Sequence, residues 1–144
     1  MKKYVSTIAI IAALYVGWGQ LNAPHGVFGT STTATNEAIS SAFGSQTSGV
    51  QVTGQGVVTR VLPDDGDGGR HQRFIVRLES GQTLLVAHNI DLAPRLTSLE
   101  TGDLVEFNGV YEWNSKGGVI HWTHRDPSGQ HHPGWLKHNG EIYQ

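Results

Sequence analysis

From Val50 to His124 the chain is written in short runs of alternating apolar and polar residues, each closed by a turn signal. A period of two places alternate side chains on one face of a strand. The pattern therefore commits this part of the chain to a small β structure and leaves little room for helices. Leu104 to Trp113 is the clearest run: Val105, Phe107, Tyr111 and Trp113 share a face, and Gly109 interrupts the row and permits a bend. With 19 glycines and only 15% charged residues, the composition suits many short strands and turns.

Four further runs complete the pattern. Val50 to Leu62 is Val-rich, contains Gly54 and Gly56 and ends at Pro63, as in a long, sharply bent strand. Asp64 to Gly69, DDGDGG, reads as a polar loop, because the EF-hand calcium pattern needs a Glu near Ile75 or Val76 and none stands there. Gln72 to Leu78 and Thr83 to Asn89 form a hairpin across Glu79-Ser80-Gly81-Gln82. With Glu79 opposite Gln82, Val76 faces Leu85 and Phe74 faces Ala87, and the other face collects His71, Arg73 and His88. The last strand is Gly118 to His124. Its expected register sets Tyr111 opposite Ile120, Gly109 opposite Trp122, and His121 across from Val110 on the reverse face, giving a core row of Tyr111, Trp113, Ile120 and Trp122. Asn139-Gly140 predicts a further hairpin between Trp135–His138 and Glu141–Gln144.

This order predicts an all-β fold: a small OB-like five-stranded barrel over residues 49–144 with a C-terminal hairpin, a β-sandwich being the alternative. Residues 1–23 carry two lysines and then an apolar run from Tyr4 to Trp18, the layout of a signal peptide or an uncleaved membrane anchor, which predicts a hydrophobic helix. Pro24 after Ala23 opposes cleavage, and Lys2 and Lys3 orient the remainder to the outside. The expected location is periplasmic or secreted, with anchoring to the inner membrane through the N-terminal segment if it is uncleaved. Residues 24–48, rich in Ser, Thr, Gly and Ala, read as a flexible linker with room for one short helix at Asn36 to Phe43. The chain has no Cys, which excludes a disulfide-linked partner and thiolate zinc sites.

The blocks GRHQRFIVRLESGQTLLVAHNIDLAPR, GDLVEFNGVYEWNSKGGVIHWTHRDP and GWLKHNGEIYQ resemble, in this order and over nearly all of residues 50–144, a family of small exported bacterial proteins known only as a domain of unknown function. That resemblance implies an OB-like domain behind a signal sequence. It implies no catalytic residue.

Two functional readings stand side by side. Tyr111 to Trp135 holds three of the four Trp and four of the eight His. In the first reading the domain is a binding module for an oligonucleotide or oligosaccharide, with Arg73, His88, Arg95, Arg125 and Trp135 on the binding surface. A formal net charge of -2 argues against tight sequence-independent nucleic-acid binding. In the second it is a small metal-dependent hydrolase of the phosphodiesterase or nuclease kind. His71, His88, His121, His124 and Asp126 are its candidate catalytic groups, and His121, His124 and His132 candidate ligands of a divalent metal such as zinc. No cofactor is established by motif: HWTH puts its two histidines on opposite faces of a strand, unlike the one-face pair of a helical HExxH.

Overall fold

The computed structural model describes residues 32–144, with side chains from residue 35 onward. The expected signal or anchor and the first part of the linker lie outside the described residues. The elements are α1 (Thr32–Gly44), β1 (Val50–Asp65), β2 (His71–Arg77), β3 (Thr83–Asn89), β4 (Leu104–Glu112), β5 (Val119–His121), β6 (Trp135–His138) and β7 (Glu141–Tyr143). All strand pairs are antiparallel except β3–β5.

The sheet order is β1-β2-β3-β5-β4-β6-β7, and a further β1–β4 pairing joins the first five strands into a ring. β1 serves both sides of that closure: Val50 to Val57 pairs with β4, and Val57 to Asp65 with β2. The alternation in β4 does what it predicts, burying Val105, Phe107 and Tyr111 completely. The C-terminal ribbon turns at Asn139 (φ 50°) and Gly140 (φ 81°), and its β6 extends the sheet from β4.

Part of the expected flexible linker is corrected by the structure. Thr32–Gly44 is a helix, longer than the short one allowed for, and its Ile39 is fully buried in the main core. Asn36 Oδ1 accepts from Gln55 N and Asn36 Nδ2 donates to Gln55 O, both at 3.3 Å, which satisfies backbone groups of β1 under the helix. Gly54 makes this close approach feasible. A Cβ there would lie 2.7 Å from Asn36 Oδ1 and 2.9 Å from Ile39 Cδ1.

A second correction concerns the β2–β3 hairpin, which is shifted by one residue from the expected register. Phe74 faces Val86, Val76 faces Leu84, Gln72 faces His88 and His71 faces Asn89. Leu78 N donates to Gln82 O at 2.9 Å, so the loop has three residues, with Gly81 in the left-handed region at φ 88°. A one-residue slip exchanges the faces of a strand. Leu84, Val86 and His88 consequently point into the core, and Ala87 and Asn89 join His71 and Arg73 outside.

The closing hairpin keeps the expected register, with Tyr111 opposite Ile120 and Val110 opposite His121. The strand stops at His121, however, because Trp122 takes φ 53°. That left-handed turn breaks the period of two and removes Trp122 from the expected core row. Trp113 is half-buried against the core.

Candidate functional site

Outside the ring, β2, β3 and the end of β5 border a cleft of about 190 Å³ lined by His71, Ala87, Asn89, Leu92, His121, Trp122 and His124. The shifted hairpin supplies His71, Ala87 and Asn89, the connection after β3 supplies Leu92, and the departure from β5 supplies the rest.

Trp122 is held in place from several directions. The His131 ring stacks on it at a centroid distance of 3.9 Å and 12° between planes, and the His124 ring lies 5.2 Å away, tilted by 37°. Gly134 N donates to His124 O at 2.9 Å, and a Cβ on Gly134 would run into the Trp122 carbonyl oxygen. The glycine of the GW block thus lets the tail pass directly behind the tryptophan.

The loop that carries His131 is organised by Asp126. Its Oδ1 accepts from Ser128 N (2.9 Å) and Ser128 Oγ (2.8 Å), and its Oδ2 from Gln130 N (2.9 Å) and His131 N (2.8 Å). The Ser128 backbone and hydroxyl, followed by the His131 and Gln130 amides, hold the carboxyl down at about 2. Both oxygens are committed to the loop, so the candidate catalytic Asp126 is a structural anchor.

His88 is likewise not at the site. It is fully buried, with Nε2 3.0 Å from Pro94 O and Nδ1 2.8 Å from Thr123 Oγ1. A carbonyl only accepts, so Nε2 carries the proton and Nδ1 accepts from the Thr123 hydroxyl. Burial pushes the pKa down to about 4 against the effect of the Pro94 bond, with the nearby His124 and His71 adding to the fall. His88 is a neutral strut joining β3 to the Pro94 connection and to the chain after β5.

The arginines proposed to hold a ligand are mostly engaged elsewhere. Arg73 donates from Nε and Nη2 to Pro63 O at 3.2 and 3.1 Å, tying β2 to the end of β1. Arg95 Nη1 is 2.6 Å from Asp64 Oδ2, and that guanidinium holds the Asp64 carboxyl below its usual range. Arg125 is exposed, and among the described residues its carbonyl accepts from His124 Nδ1. Trp135 is half-buried on β6 and does not line the cleft. His132 is exposed, with Nδ1 2.9 Å from Pro133 O.

The expected trio of His121, His124 and His132 forms no metal centre: among the described residues, no group of three or more His, Cys, Asp or Glu is placed to hold an ion. His138, opposite Glu141 in the ribbon, is buried, with Nε2 2.8 Å from Asp103 Oδ2.

Of the sequence candidates, the fold brings together His71, His121 and His124. It adds Trp122, Asn89 and Leu92. Trp122 had been assigned to the core by alternation, and the other two stand at or beyond the end of β3, where no periodic signal reaches.

A family model described as "protein of unknown function (DUF3465)" matches residues 24–144. No curated protein and no solved structure matches the chain.

Proposed function

The chain belongs to that DUF3465 family, whose description assigns no activity, and from the site alone we propose that it is a binding module: an OB-like barrel that holds part of an oligomeric ligand, an oligosaccharide or an oligonucleotide, in the cleft beside β2, β3 and β5. The ring order β1-β2-β3-β5-β4 with a bent, glycine-containing first strand supports the OB-like reading, and OB domains bind on the outer face of the second and third strands.

The observation that carries the proposal is the placement of Trp122. An aromatic residue that leaves a core-facing row through a left-handed backbone turn, and lines a cleft beside three histidines, forms a platform for a planar or ring-shaped group. The hydrolase reading has no comparable support, since His88 is buried and both oxygens of Asp126 are spent on the loop. The pattern of residues 1–23 favours a setting outside the cytoplasmic membrane, with or without retention of the segment as an anchor.

Affinity electrophoresis of the full chain through gels containing soluble polysaccharide, or against labelled single-stranded oligonucleotide, tests the reading. Retardation by one of these matrices is expected, abolished in Trp122→Ala and kept in Ile142→Ala, whose side chain is exposed on β7. Free migration in every matrix would refute it.

A further inference from the structure

The hydrogen bonding of the cleft's imidazoles restricts what can bind there. His71 Nδ1 lies 3.1 Å from Gly69 O, His124 Nδ1 lies 2.7 Å from Arg125 O, and His121 Nε2 lies 3.2 Å from Glu112 Oε1. Carbonyl and carboxylate oxygens accept only, so in each neutral ring the tied nitrogen carries the hydrogen and the other is a bare acceptor. The acceptors are Nε2 of His71, Nε2 of His124 and Nδ1 of His121. None of them has a partner among the described residues.

While the three rings are neutral, an occupant must therefore bring protons to this cleft. A phosphodiester offers acceptor oxygens and negative charge, and meets lone pairs. It also needs cations, yet Arg70 is paired with Asp91 at 2.8 Å, Arg95 with Asp64, and Arg73 is bound to Pro63 O. Arg60, Arg77 and Arg125 are exposed, but none of the three lines the cleft, so none is placed to hold a phosphate there. A metal ion would also take imidazole lone pairs, and the described residues form no cluster to hold one. Hydroxyl groups fit the requirement, since each donates one proton.

Trp122 adds the second constraint. His131 covers one face of the indole at 3.9 Å and does not itself line the cleft, so an occupant meets the part of Trp122 that His131 leaves open to it. The face of an aromatic ring is its negative side, which attracts the weakly positive C–H bonds on one face of a pyranose. At about 190 Å³ the cleft is smaller than the roughly 300–1,000 Å³ of sites for drug-sized ligands, a scale that suits one sugar ring.

We propose that the cleft recognises a neutral, hydroxyl-rich sugar unit of an oligosaccharide, whose hydroxyls donate to His71 Nε2, His121 Nδ1 and His124 Nε2 while its C–H face packs on Trp122. The inference rests on the binding-module reading and names its ligand class.

Calorimetric titration of the full chain with cellohexaose, maltohexaose, chitohexaose and hexathymidylate, each at low and high salt near neutral pH, tests it. At least one neutral hexasaccharide binds with an affinity that salt leaves unchanged. Trp122→Ala weakens that binding about tenfold or more, the loss of one stacked ring. His121→Phe, which keeps an aromatic ring but removes the acceptor, weakens it about two- to tenfold, the loss of one hydrogen bond. Hexathymidylate binding that falls with salt and with Trp122→Ala, without sugar binding, overturns the ligand class and leaves the cleft a binding site. No binding by any of the four, or binding unaffected by Trp122→Ala, overturns both.

Discussion

His88 and Thr123 are joined inside the core by a 2.8 Å hydrogen bond from the threonine hydroxyl to Nδ1, while the opposite imidazole nitrogen donates to Pro94 O. This bond sets where the chain goes after β5, and so it fixes the base of the segment on which Trp122 and His124 stand.

The arrangement requires a neutral ring, since protonation would give Nδ1 a hydrogen where it now accepts. The folded-state pKa of His88, about 4, lies below the unfolded value of 6.5. Below 6.5 the unfolded chain thus binds the proton more readily than the fold does, so stability is intact above that pH and falls as pH drops toward 4. A shift of this size corresponds to about 3 kcal/mol. Urea unfolding across this window should show that loss. His88→Phe should be less stable at pH 7 and show a flatter pH dependence.

Ile39 on α1 is completely buried, so Ile39→Ala should cost about 2–5 kcal/mol, as for other core Ile truncations. Chemical denaturation measures it. A loss below half a kcal/mol, typical of surface sites, would mean that the helix does not belong to the core.

Asp126→Ala removes the acceptor for the Ser128, Gln130 and His131 amides. Faster amide exchange across residues 128–131 is expected, together with an altered Trp122 environment as His131 leaves its stack, while the melting temperature stays close to that of the parent. Unchanged exchange would show that the loop is held by something other than the carboxylate.

Gly134→Ala places a methyl group against the Trp122 carbonyl. Displacing that backbone should cost about 1–3 kcal/mol and shift the tryptophan emission. Gly66→Ala, where a Cβ would meet nothing within 4 Å among the described residues and the φ is not left-handed, serves as a control for adding a methyl group without a clash.

The legible part of the fold was what alternation encodes. β3, β6, the turn at Asn139-Gly140 and the pairing of Tyr111 with Ile120 follow from local pattern. The β2–β3 register was misread because a two-residue and a three-residue loop are both compatible with ESGQ, and the choice moves His88 from the surface to the core. α1 was undervalued because its apolar content is low; its stability comes from Ile39, Ala42 and Asn36 meeting β1, a tertiary contact invisible in the segment itself. For the proposed site, the dense run of His and Trp between Tyr111 and Trp135 is the stretch that supplies His121, Trp122 and His124 to the cleft. The stack of Trp122 on His131 depends on one left-handed residue and a loop tied by Asp126, and neither carries a periodic signature.

The most direct test of the binding cleft follows the indole Nε1–H signals of the isotope-labelled full chain during titration with maltohexaose, chitohexaose and an oligothymidylate. The account predicts that the ligand which binds shifts the Trp122 signal together with the imidazole signals of His71, His121 and His124, and leaves that of Trp113 in place. A bound ligand that moves the Trp135 signal and the residues of β7 while Trp122 and the three imidazoles stay unmoved would contradict it.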